Sequence, residues 1–218
     1  MLERCLWSRL TGMNKTNNLL FCSKSFIFAI KMKKIVFLST ILISSLLYSS
    51  CKKGFNFQKE SLIQLSEELQ NKFTEDAWYT SIIIRGQNGT HNTVVVDVTK
   101  DPNSLKQEQW AYDGGFWEKK SNISLEIEGE PTNYMFQIDN EISLEFAYNL
   151  IDKTLEDLKN EEEILDPLDV RTLSIRSSSE MNSKEEGVLY TITIFNENTA
   201  KSYSYVYYLN GELKNKNL

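Results

Sequence analysis

Histidine, cysteine and proline are scarce in these 218 residues: one His, three Cys and three Pro, with nine Gly. A zinc site draws its ligands mainly from several His and Cys, so a single histidine argues against one. A Ser-His-Asp triad would need His91 as its base, and no Gly-x-Ser-x-Gly elbow accompanies it. His91 follows the turn signal Asn88-Gly89 and reads as a solvated hairpin residue. Glycine-rich phosphate loops and dinucleotide fingerprints are absent too. The sequence therefore gives no metal, no cofactor and no catalytic residue to expect. A membrane-spanning run is also missing. The longest apolar and small stretch, Ile35 to Tyr48, has 14 residues, against about 20 for a spanning helix.

That short stretch is the most informative part of the chain. Lys33 and Lys34 precede it, and Ser49, Ser50 and Cys51 follow. A basic start, a short apolar core and a small-residue end make an export signal. The Ser-Ser-Cys-Lys-Lys ending resembles lipoprotein signals of the Bacteroidetes type. Tyr48 holds the position, three before the cysteine, where the usual box has Leu. The resemblance implies lipidation at Cys51, which becomes the mature N-terminus, and a membrane attachment through several acyl chains. Lys52, in place of an Asp retention signal, implies the outer membrane, facing the periplasm. The competing reading is a short anchor that is never cut. Residues 1–31 are read as an upstream extension with translation starting at Met32; a real N-terminal extension is the alternative. Residues 32–50 are the signal peptide and 51–59 the lipidated cysteine with a tether. Cys5 and Cys22 then fall outside the mature chain, which is left with no disulfide.

Positive charge is scarce after the signal. Residues 51–218 hold 17 Lys and Arg against 29 Asp and Glu, a net charge of −12. Nucleic acid is excluded as a partner, because phosphates need clustered cations. The 168 residues suffice for one full domain or two small ones.

Along the mature chain, Leu62, Leu65, Leu69 and Phe73 predict a helix capped by Ser61. Strands are expected at Trp78–Arg85, Thr93–Val98, Gln107–Tyr112 and Phe116–Lys119. Two more half-buried strands are expected around Ile123–Ile127 and Tyr134–Ile138. A second helix follows Ser143 and runs to the acidic Glu161–Glu163. Strands at 170–176, 188–195 and 202–209 follow, then a turn at Asn210-Gly211 and a polar tail. The fold class is α+β: an antiparallel meander with two helices packed on one face. Units at 60–139 and 140–218 repeat a helix plus at least three strands. Val94, Val96 and Val98 sit 96 residues before Tyr190, Ile192 and Ile194, and Tyr112 lies 96 before Tyr208. The offset shifts to about 91 for the first strand and about 86 for the helix. With a Tyr-containing strand and a last strand turning at Asn-Gly, carried here by Tyr190, Tyr205 and Asn210-Gly211, the helix-plus-strands unit resembles in outline helix-plus-meander modules of the PepSY type, which implies a binding or inhibitory role.

Carboxylates are numerous, and a glycosidase needs only a pair across a cleft. A meander sheet is a poor frame for such a cleft. Asp97 and Asp101 bracket a turn without EF-hand spacing and read as solvated. Aromatic residues are the better lead. Tyr203, Tyr205 and Tyr207 share one strand face, and Trp110, Tyr112 and Trp117 cluster on the first-half hairpin. Core packing is the default for either set. Any that remain exposed would form a binding surface, for which Trp110, Tyr112, Trp117, Tyr203, Tyr205 and Tyr208 are the candidates. The expectation is an envelope lipoprotein that acts as a non-enzymatic binding module for a protein or peptide. An assembly accessory of an outer-membrane complex is the alternative, and a carboxylate-dependent hydrolase ranks below both.

Overall fold

The computed structural model describes residues 54–86, 92–127, 129–162, 167–177 and 187–217. Helix α1 (Lys59–Phe73) precedes strands β1 (Trp78–Arg85), β2 (Thr93–Thr99), β3 (Lys106–Asp113) and β4 (Phe116–Ser124). A 3-10 turn, Pro131–Tyr134, leads to α2 (Leu144–Glu162). Strands β5 (Leu168–Ser177), β6 (Val188–Asn196), β7 (Lys201–Tyr208) and β8 (Leu213–Asn217) complete the chain. All eight strands join one antiparallel sheet in the order β4-β3-β2-β1-β5-β6-β7-β8. The class is α+β, as expected.

The two first strands meet at the centre. β1 pairs with β5 so that Ile83 faces Ser174, with Ile82 opposite Ile175 and Ile84 opposite Leu173. Ile83 and Ser174 are 91 residues apart, the offset read for the first strand. The same offset relates the irregularities. In β1, Thr80 is an extra residue between the pairs Tyr79–Val98 and Ser81–Asp97. In β5, Arg171 is extra between Val170–Ile194 and Thr172–Thr193. Thr80 and Arg171 differ by 91, and their β2 and β6 partners differ by 96. A bulge bends a strand at one chosen place, so both halves bend their sheets alike. The helices correspond at 85 rather than 86. The buried positions of α1 are Leu62, Leu65, Ser66, Leu69 and Phe73. Their counterparts in α2, Ala147, Leu150, Ile151, Thr154 and Leu158, are buried too. Tyr112 corresponds to Tyr207, not Tyr208: Val94 pairs with Tyr112 and Tyr190 with Tyr207.

Side-chain alternation builds the core. Ile82 and Ile84, Val94 to Val98 at every second residue, Leu173 and Ile175, and Tyr203, Tyr205 and Tyr207 are buried on one face. Helix side chains touch that face. Phe73 of α1 meets the rings of Tyr79, Trp110 and Trp117 at 5.2–6.3 Å. Phe146 of α2 meets Tyr190 at 5.8 Å. The Thr154 hydroxyl lies 2.8 Å from the Tyr207 hydroxyl and donates to the Leu150 carbonyl. Each fully buried side chain of this size is worth about 1.5–3 kcal/mol. Gly211 is required at the last turn: its φ is +83°, and an added Cβ would stand 3.0 Å from the Phe146 ring.

Several expected elements differ. α1 starts at Lys59, and Ser61 lies inside its first turn, where its hydroxyl accepts from the Asn56 amide. Ser143 does serve α2: its hydroxyl accepts from the Phe146 amide at 3.2 Å. Residues 54–59 are not a plain tether, because Phe55 is buried against Tyr112 and bridges Asn92. β4 continues through Ile123, so no separate strand begins there. The Tyr134–Ile138 stretch holds a 3-10 turn and isolated bridges, Phe136 to Tyr79 and Ile138 to Ile142. The polar tail is the eighth strand. Cys51, His91 and Asn88-Gly89 lie outside the described residues.

Candidate functional site

The aromatic candidates fall into two groups. Tyr112, Tyr203 and Tyr205 are buried in the core, which removes them as contact residues for a partner. Trp110 and Trp117 pack against the core on the helix side. Their indole N–H groups are taken. Trp110 donates to Glu108 at 3.0 Å and Trp117 to Glu68 at 3.1 Å. The Lys72 ammonium sits 4.4 Å from the Trp110 ring centre. These residues bolt α1 to the sheet. Tyr208 differs, because it follows the buried Tyr207 and points to the opposite face.

That opposite face is the candidate. Among the described residues, no helix packs on it. Two polar rows cross it. One runs Gln109, Asp97, Ser81, Arg176, Leu189, Tyr208 over six paired strands. Gln109 donates to Asp97 at 2.9 Å. Burial pushes the Asp97 carboxyl above its usual range, opposed by the Gln109 bond and the Arg176 charge. The other row runs Thr93, Arg85, Thr172, Thr193, Ser204, Asn217. Arg85 and Arg176 are 91 residues apart and so occupy equivalent places. Arg176 has Asp97 within its row; the row of Arg85 holds hydroxyls and no acid. Between the rows lies an apolar centre of Ile83, Val95 and Ala111. Phe116, paired with Asp113 at the β3–β4 turn, adds an aromatic ring that is 64% exposed.

The sheet edges are closed to pairing. β4 carries Glu118, Lys119 and Lys120, with Lys120 as an extra residue. β8 reads Leu-Lys-Asn-Lys-Asn, with Lys214 extra. Edge lysines and bulges are the usual devices against strand addition. The acidic charge lies elsewhere. Up to Asn160 the two helices carry seven carboxylates against four lysines.

A second concavity of about 730 Å³ opens where β2 and β3 leave the sheet. Phe73, Val98 and Ile123 are its apolar lining, with Lys100, Asp101, Lys106, Gln107 and Glu108 around them. Lys119 and Trp110 hydrogen-bond to Glu108 and hold its carboxyl below the usual range. Among the described residues, no group of three or more His, Cys, Asp or Glu is placed to hold a metal ion. No described helix is long and apolar enough to cross a membrane.

Arg85, Arg176, Phe116 and Gln107 were not singled out by sequence. Strand alternation marks the first three as facing away from Ile84, Ile175 and Trp117. Nothing in the sequence says which face the helices cover. Compared with family models, curated proteins and solved structures, the chain matches none.

Proposed function

We propose that this chain is an envelope lipoprotein, anchored through Cys51 at the outer membrane and facing the periplasm, that binds a protein or peptide without catalysis. One observation carries the binding part: the sheet face turned away from both helices bears arginines, hydroxyls, the exposed Phe116 ring and the half-buried Tyr208 ring, while both edges carry lysines and bulges. A partner meets this face through side chains, since strand addition is disfavoured. Phe116 and Tyr208 are the ring contacts, and Arg85 and Arg176 the charged ones; such residue types dominate binding energy at interfaces. The acidic helices stand on the far side from this contact. The lipid anchor rests on the signal pattern at 32–51.

The test places a photo-cross-linking residue at Val206 on the open face, or at Glu156 on α2, in the cell of origin. The expected result is one discrete adduct from position 206 and none from 156. Adducts of equal yield from both positions would refute the assignment of the face. Replacing Cys51 by Ser should release the protein from the membrane fraction, and retention there would refute the anchor. A stable complex of fixed stoichiometry surviving purification would favour the assembly reading.

A further inference from the structure

Where the chain enters the domain decides which part of it lies nearest the anchor. Phe55 is the fourth residue after Cys51, so the chain between them spans about 14 Å at most. Phe55 itself is fixed. It is buried, its ring lies 4.9 Å from that of Tyr112, and its carbonyl accepts from the Asn92 amide at 3.1 Å. Asn92 immediately precedes β2, and Tyr112 is the last but one residue of β3. The proposed anchor is therefore leashed to the end of the sheet where β2 begins and β3 turns into β4. The Tyr112 ring stands 5.2 Å from that of Trp117, and Phe116 is the adjacent residue, at the Asp113–Phe116 turn. Phe116 is 64% exposed, the most of any large apolar side chain among the described residues. The other exposed ones lie elsewhere: Leu105 at the opposite end of β3, Leu209 and Leu213 around the β7–β8 turn. Asp113, Glu118, Lys119 and Lys120 flank the ring and cancel in charge. This corner thus offers an apolar ring and no net charge.

We propose that this corner seats on the lipid surface, with the Phe116 ring among the headgroups and upper acyl chains. The proposal rests on the anchor reading above. A tether of this length makes insertion of the ring an intramolecular event, so a weak intrinsic affinity suffices. The gain is the removal of apolar surface from water, as for other apolar side chains at membrane surfaces. Because the turn carries no net charge, the seat needs no anionic lipid. While the open face is empty the ring meets lipid; a partner covering that face takes the ring over. β3 is 8 residues long, which holds Leu105 about 25 Å from the turn and in water.

The lipidated full chain, purified in detergent from the cell of origin, is reconstituted into phosphatidylcholine vesicles with or without bromine on the acyl chains. Bromine quenches tryptophan at contact, and the parent's own tryptophans set the baseline. Phe116→Trp should add emission that shifts to the blue in vesicles and is lost with brominated lipid. Leu105→Trp should add emission that keeps its aqueous wavelength and escapes quenching. Both positions are exposed, so neither variant disturbs the core. A parent chain that fails to float with the vesicles overturns the anchor and the seat together. Flotation without quenching of the Phe116→Trp emission overturns the seat alone; a blue shift without quenching would hand the ring to a protein contact instead. Equal quenching at both positions also overturns it, since the bilayer would then meet no particular corner.

Discussion

The first half of the chain and the second build the same unit of one helix and four strands, yet they fill the open sheet face with different chemistry. Equivalent bulges, at Thr80 and Arg171, and equivalent arginines, at Arg85 and Arg176, fix the common frame. Within it, the first half places Asp97 and Gln109 where the second places Thr193 and Ser204. The central positions facing the helices are apolar or aromatic in both halves, because they fill the same core; toward the β3–β4 edge Glu108 and Lys119 share that side. Core positions are held by packing and vary little in kind. Open-face positions carry no such constraint, and there the halves differ. That difference is the physical argument for looking on the open face for function.

The strongest test of the shared frame is a matched pair of core truncations. Ile84→Ala and Ile175→Ala remove equivalent, fully buried side chains. Each should cost about 2–5 kcal/mol in urea unfolding, and similar costs are the expected result. A difference of several kcal/mol would break the equivalence of the two halves.

The bulge residues should differ instead. Thr80 supplies the hydrogen bond to the buried Gln107 amide. Thr80→Val should cost about 1–3 kcal/mol, since the buried Gln107 Oε1 then loses its donor. Arg171 makes partly exposed ion pairs to Asp169 at 3.0 Å and Glu197 at 3.5 Å. Arg171→Ala should cost about 1 kcal/mol or less. Chemical unfolding of both variants checks the order.

The smallest effect separates Asp97 from its counterpart Thr193. Burial raises the Asp97 carboxyl in the folded state, so the folded protein holds that proton to higher pH than the unfolded chain. Its contribution is therefore most favourable below the ordinary value of 3.8 and is lost as pH rises through the raised value. Asp97→Asn keeps an acceptor for Gln109 and should stabilise at neutral pH, by about 1 kcal/mol or less. The gain should vanish in acid. Thr193→Val should show no such pH dependence when melting is followed from acid to neutral pH.

Periodicity made much of this fold legible. The stripe Leu62, Leu65, Leu69, Phe73 gave α1, and alternating Val94, Val96, Val98 gave β2. The offsets of 91 and 96 follow from those same residues and reappear in the bulges. The misses have physical causes. β8 is Leu-Lys-Asn-Lys-Asn, with no β-branched or aromatic residue; its place is set by pairing with β7. Tyr134, Phe136 and Ile138 alternate like a strand, but the link makes only isolated bridges, Phe136 to Tyr79 and Ile138 to Ile142. The aromatic candidates were ambiguous because Tyr and Trp suit both core and interface. Register resolved them: Tyr203 and Tyr205 share a face with Tyr207 under the helices, and Tyr208 does not. Arg85 and Arg176 gain meaning only when strands far apart in sequence are laid side by side.

The central claim is that the open face is free in the isolated protein and covered in the cell. Maleimide labelling of Thr193→Cys tests it, with the parent chain as the baseline for its own cysteines. The account predicts fast labelling of residue 193 in the purified protein and strong protection in intact envelopes. Equal labelling in both settings, or protection already present in the purified chain, would contradict it.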